Sequence, residues 1–171
     1  SAASDVYKRQ VDVGRFANLL SSKKSQKFIT YCGSASNNKD GIDILIKAFS
    51  LVSQRFPDVK LQIIGNAPNK NDASGNVKLV ESLGLAHKVV FTGVISMHKM
   101  PQVLKDSTIL VLARPDSLQA KTGFPTKLGE YLLSESPVVV TSVGDIPLFL
   151  EHGKNAMLSV NKSPQEIAFM I

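Results

Sequence analysis

The 171-residue, 18.5 kDa chain carries 43% hydrophobic and 20% charged residues, which fits one globular domain and excludes disorder as a general description. Its apolar runs are too short to span a bilayer, no N-terminal segment resembles a signal peptide, and the single cysteine, Cys32, excludes an intramolecular disulfide. The formal net charge of +6 permits an anionic partner such as a phosphorylated small molecule, but 4 Arg, 3 Tyr and no Trp leave few groups for gripping nucleic acid, which is not expected as a partner.

Residues 1–10 show neither a period nor an apolar face and are expected to be a non-native or disordered leader, so the folded unit is placed at residues 11–171. Five apolar, β-branched runs bounded by turn residues predict buried strands at 28–32, 61–64, 89–92, 109–112 and 138–141, with a weaker sixth at 156–160. Helical spacing fills the gaps. The clearest stripe is Ile42, Leu45, Ile46, Phe49 and Val52 within residues 41–56. Further helices are expected at 76–83, 97–105, 126–134, 146–152 and 163–171, the last capped by Ser163 with Pro164 and Glu166 behind it. Strands apolar on both faces and alternating with helices predict a doubly wound, Rossmann-like parallel sheet. Ligands of such sheets bind at the carboxyl ends of the strands, near the topological switch point. The last helix stops in the apolar residues 168–171, so the unit is expected to be truncated at both ends.

Two loops at carboxyl ends have the composition of ligand sites. After the first strand, Gly33, Ser34 and the small polar residues that follow lead through Lys39 into a helix, a geometry suited to phosphate; an ordinary turn with a solvated Lys39 is the equal alternative. After the fourth strand, a polar loop containing Arg114 and Asp116 leads to Gly123-Phe124-Pro125-Thr126-Lys127-Leu128-Gly129-Glu130. Free N–H groups at Thr126 and Lys127 suit a diphosphate, and Glu130 suits a ribose diol. Read without relatives, Lys127 and Glu130 are instead a surface i, i+3 pair worth ~0.2–0.5 kcal/mol, with Leu128, Tyr131 and Leu132 as the apolar face. Neither G-x-G-x-x-G nor a P-loop occurs, and the second strand ends without an acidic residue, which argues against dinucleotide oxidoreductases and NTPases. His87, His98 and His152 lack ligand spacing, so no metal is expected, and no residue is assigned as catalytic. Cys32 is expected to be a small buried hydrophobe and Asp145 a helix cap.

The stretch from Gly123 to Leu132, followed by Ser136-Pro137-Val138 and Val143-Gly144-Asp145-Ile146-Pro147, resembles group-1 glycosyltransferases, the retaining, family-four type with the GT-B fold. Tyr31-Cys32-Gly33, Lys39-Asp40-Gly41, the Val89–Gly93 run and Val11-Asp12-Val13-Gly14-Arg15-Phe16 agree in order and spacing, so the resemblance covers residues 11–171. It implies the C-terminal, donor-binding half of a GT-B enzyme that moves a hexosyl group from a UDP- or GDP-linked sugar to an acceptor. No cofactor beyond this substrate is implied. Residue by residue, Glu130 matches the second Glu of the family's E-x7-E motif, a ribose ligand, and Lys39 a basic residue near the diphosphate. Gly123, Phe124 and Pro125 match the loop beside the sugar, Thr126 and Lys127 offer N–H groups to phosphate, and Val90 and Phe91 fall where backbone reads the base. Gly33 and Ser34 complete the phosphate-facing loop.

Two departures stand out. Thr122 replaces the first Glu of E-x7-E, and Ser34 stands where many members carry Arg. Arg114 either supplies the missing positive charge or is solvated. The partners implied are a nucleotide sugar and, through an absent N-terminal domain, an acceptor glycan or lipid, in the cytoplasm or peripherally at the inner membrane face. The isolated chain is expected to be inactive. The alternatives are a non-catalytic GT-B-like binding domain and half of a nucleotide-sugar epimerase.

Overall fold

The computed structural model describes residues 11–22, 26–122 and 124–171. The leader expected at residues 1–10 and the role expected of Gly123 lie outside the described residues. Six strands, β1 (Lys27–Cys32), β2 (Val59–Ile64), β3 (Val89–Gly93), β4 (Ile109–Leu112), β5 (Val138–Thr141) and β6 (Met157–Ser159), pair in parallel in the order β3-β2-β1-β4-β5-β6. This is a Rossmann-like, all-parallel α/β sheet, with each strand within two residues of its expected bounds. The chain steps outward from β1 to β3 and then restarts at β4 beside β1, so the switch point lies between β1 and β4.

Right-handed crossovers place α2 (Ile42–Arg55) and α3 (Lys70–Ser82) on one face, and α4 (Met100–Lys105) and α6 (Thr126–Leu133) on the other. The terminal helix α8 (Pro164–Met170) returns to pack on α2. The expected stripe of α2 is wholly buried, against Ile29, Leu61, Ile63 and the β4 and β5 valines and leucines. Gly41 precedes it with a φ of 67°, and a Cβ there would come within 1.9 Å of the Ala113 carbonyl oxygen. Only glycine lets the loops after β1 and β4 approach this closely.

Several helix bounds differ from expectation. α3 starts six residues before 76, because the Asn69 side chain accepts the Asp72 N–H at 2.8 Å, while its first turns are polar and show no period. α4 starts at Met100 and not 97, with Pro101 in its first turn. α7 (Ile146–Phe149) is one turn, ending where Leu150 becomes extended, and Asp145 makes no side-chain cap hydrogen bond. Two one-turn helices, α1 (Asn37–Asp40) and α5 (Leu118–Lys121), occupy loops that carry no helical period. Leu132 is exposed, so the buried face of α6 is Leu128 and Tyr131.

Candidate functional site

The carboxyl ends of β1 and β4 open onto two adjoining cavities. The loop after β1 is tied to the loop after β2: the Gly33 N–H donates to Ile64 O at 2.9 Å and the Ala35 N–H to Asn66 O at 3.0 Å. Ser36 caps α1 by accepting the Lys39 N–H, which sets Lys39 on the rim and Asp40 beneath it. From the end of β5, Thr141 Oγ1 donates to Arg114 O at 2.8 Å and fixes the start of the loop after β4.

Beneath the rim lies a charged cluster. Asp40 has its side chain 1% exposed and Lys127 17%, and Lys127 Nζ donates to Asp40 Oδ2 at 2.6 Å. The Tyr31 hydroxyl donates to the same oxygen at 2.6 Å and accepts from Lys127 at 2.9 Å. Gly33 is favoured here by its φ of 148°, and a Cβ on it would push Lys127 Nζ, 2.1 Å away, off Asp40. Arg114 is 1% exposed and donates to Lys39 O at 3.3 Å and Gln119 O at 3.4 Å, close enough to Asp40 to share its charge. Lys127 is thus bonded to Asp40, the buried Arg114 guanidinium lies within reach of the same charge, and Lys39 on the rim adds a third cation.

Burial pulls the Lys127 ammonium below its ordinary value, and Asp40 pulls it back. Burial also lowers the Arg114 guanidinium, again opposed by Asp40. Burial, then the Asp40 charge, push the Tyr31 hydroxyl far up, so it remains a donor. Burial raises the Cys32 thiol to about 11, so it is a thiol at neutral pH.

One cavity, of about 230 Å³, is lined by Lys39, Asp40, Arg114, Thr122, Phe124, Pro125, Thr126 and Lys127. The other, of about 420 Å³, shares Lys39 and Thr122 and adds Ser34, Ser36, Asn38, Asn69, Asp72 and Gln119. Phe124 is held edge-on against Phe149 of α7, with ring centroids 4.9 Å apart. Pro125 is the N-cap of α6 and brings no capping side chain, which leaves the first N–H groups of that helix facing this region.

The structure thus gathers Gly33, Ser34, Lys39, Phe124, Pro125, Thr126 and Lys127 around the switch point. Glu130 lines neither cavity; Arg15 Nη1 donates to its Oε1 at 2.8 Å, and its charge reaches Cys32 at the end of β1. Val90 and Phe91 are exposed on the edge strand β3, and Phe91 borders a separate small cavity with Ala35, Gly65 and Asn76. Two expectations are overturned. Lys127 does not pair with Glu130 along the helix but turns inward to Asp40, and Arg114 is not solvated. Asp40, Tyr31 and Arg15 escaped the sequence reading, because their partners stand 87, 96 and 115 residues away and no local spacing marks them. Among the described residues no group of three His, Cys, Asp or Glu side chains is placed to hold a metal, and no helix is long and apolar enough to cross a membrane.

The model of the family "Glycosyl transferases group 1" matches residues 26–171. Mannosylfructose-phosphate synthase of Agrobacterium fabrum is 26% identical over 138 residues, which is 78% of this chain and 29% of that protein. The C-terminal domain of a group 1 glycosyl transferase from Francisella tularensis superposes with a TM-score of 0.77 at 22% identity, over 94% of this chain and 85% of that one. The Anabaena protein HepE, solved with UDP and glucose, superposes with a TM-score of 0.76 at 22% identity, over 93% of this chain and 44% of that one. The chain spans about a third of the length of the curated relatives it matches.

Proposed function

The chain belongs to the group 1 glycosyl transferases, and from that premise we propose that it is the donor-binding part of a retaining enzyme that transfers a hexosyl group from a nucleoside diphosphate sugar. The observation that carries this reading is the pair of cavities at the switch point, walled by the three cations Lys39, Lys127 and Arg114 against the two carboxylates Asp40 and Asp72 and faced by the uncapped start of α6. A diphosphate matches that excess positive charge and those N–H donors. Thr126 and Lys127 would offer backbone N–H groups to it, Gly33 and Ser34 would let it approach the first loop, and Glu130 would accept from the ribose diol. Phe124 and Pro125 would border the sugar, and the backbone at Val90 and Phe91 would meet the base. As the glycosidic bond breaks, Lys39 and these donors would stabilise the charge that develops on the leaving diphosphate. UDP bound to a neighbour of the same fold favours uridine as the base. The acceptor, a glycan or lipid, would be held by another domain of a longer protein, in the cytoplasm where nucleotide sugars are made.

Thr122 favours a second reading, a donor-binding domain without turnover. It brings no carboxylate to either cavity, and its hydroxyl donates to Gln119 O at 3.3 Å. Ligand-observed NMR titration of UDP, GDP, ADP and NAD tests the first reading. Saturable binding of UDP or GDP, weakened in Glu130→Ala, is expected; no nucleotide binding by the folded chain would refute it. Sugar transfer by the full-length protein would exclude the second.

A further inference from the structure

Arg15 stands in a 3-10 turn, Val13–Phe16, before the first strand. Its guanidinium is divided between two acceptors: Nη1 donates to Glu130 Oε1 at 2.8 Å and Nη2 to the Met97 carbonyl at 2.7 Å. A guanidinium that merely neutralises a carboxylate commonly grips both oxygens with its fork. Here one prong is fixed to main chain between β3 and α4, so the other holds the carboxylate at a set place. The turn is anchored as well. The Asp12 side chain accepts the Gly14 N–H at 3.0 Å, and Val11 lies over Gly129, where a Cβ would come within 2.6 Å of Val11 Cγ2. Both charged side chains are 24% exposed, and a pair so close to water contributes only ~0–1 kcal/mol to folding, which gives a purely stabilising role little weight. Glu130 Oε2 takes no hydrogen bond among the described residues and keeps its full accepting capacity.

We infer that Arg15 is a positioning residue: it holds the Glu130 carboxylate by one oxygen so that the other is presented, already oriented, to a vicinal diol such as the ribose of a nucleoside diphosphate. This rests on the donor-site reading above. Affinity for the diol would then depend on a segment that never touches the ligand.

The test measures dissociation constants of the 171-residue chain for UDP and its 2′,3′-dideoxy analogue, with GDP and its dideoxy analogue alongside. Arg15→Ala is expected to weaken the diol-bearing nucleotide by about three- to tenfold, the cost of ordering one freed side chain on binding, and to leave the dideoxy compound unchanged. Glu130→Ala should abolish the same difference. Arg15→Lys keeps the aliphatic stem but cannot reach two acceptors with a planar fork, so it should fall between, and it serves where the alanine variant does not fold. Equal loss of both ligands, an unchanged constant for UDP and GDP, or tighter binding in Arg15→Ala would each overturn the inference while the donor site stood. An unsubstituted chain that bound neither nucleotide would overturn both.

Discussion

Asp40 is the residue on which the charged cluster turns. It is the single carboxylate between Lys127 and Arg114, so the two sides of the pair are not equivalent. Asp40→Ala leaves the Lys127 ammonium without its carboxylate beneath the rim and is expected to destabilise the fold by about 3 kcal/mol, at the low end for a broken buried pair because Lys127 keeps some contact with water. Lys127→Met should cost less, since the Tyr31 hydroxyl still donates to Asp40 and the Arg114 charge lies near it. The double variant Asp40→Leu, Lys127→Met should recover part of the loss. Urea midpoints of the four proteins check this, and equal costs for the two single variants would contradict it. Asn76 offers the opposite case. It is 2% exposed, and neither amide atom has a partner among the described residues. Burying an unpaired amide is unfavourable, so Asn76→Leu is expected to stabilise by about 1 kcal/mol. That corresponds to a rise of about 2–4 °C in Tm, readable by calorimetry.

At the scale of elements, α8 shows how a cap can set acid stability. Ser163 accepts the Glu166 N–H at 3.2 Å, as its sequence predicts. The Glu166 carboxylate reaches back to the Ser159 hydroxyl and accepts the Asn161 N–H at 2.7 Å and the Lys162 N–H at 3.2 Å. The Ser159 hydroxyl, ahead of these N–H groups, holds it below its ordinary value of 4.5. A carboxylate lowered in the folded state contributes stability that is present above the unfolded value and is lost as pH falls through the folded one. Denaturant midpoints between pH 3 and 7 should therefore fall less steeply below pH 4.5 in Glu166→Gln than in the unsubstituted chain; parallel curves would contradict this. The same helix was legible in advance because cap, proline and acidic residue lie within four positions. α2 was legible through its apolar stripe. α1 and α5 were not, since four residues make barely one turn and cannot display a period. Residues 70–75 at the start of α3 carry no apolar signal, so only their Asn69 cap could have announced them.

For the whole molecule, strands buried on both faces are what made the parallel sheet readable, and its order put the switch point where the two polar loops meet. Residues near one another in sequence, such as Gly33 with Lys39 or Phe124 with Lys127, could be grouped before the structure. What brings the two groups together could not, because it depends on Lys127 crossing to Asp40 and on Gly41 letting the loops after β1 and β4 close up. The Arg15–Glu130 link has a consequence in time as well as in space. It closes a loop of 115 residues, so chain entropy disfavours it until most of the sheet is in place. During synthesis residue 15 leaves the ribosome first and waits for residue 130, roughly 6–23 s at ordinary elongation rates. The contact thus becomes possible only after four of the six strands have been made.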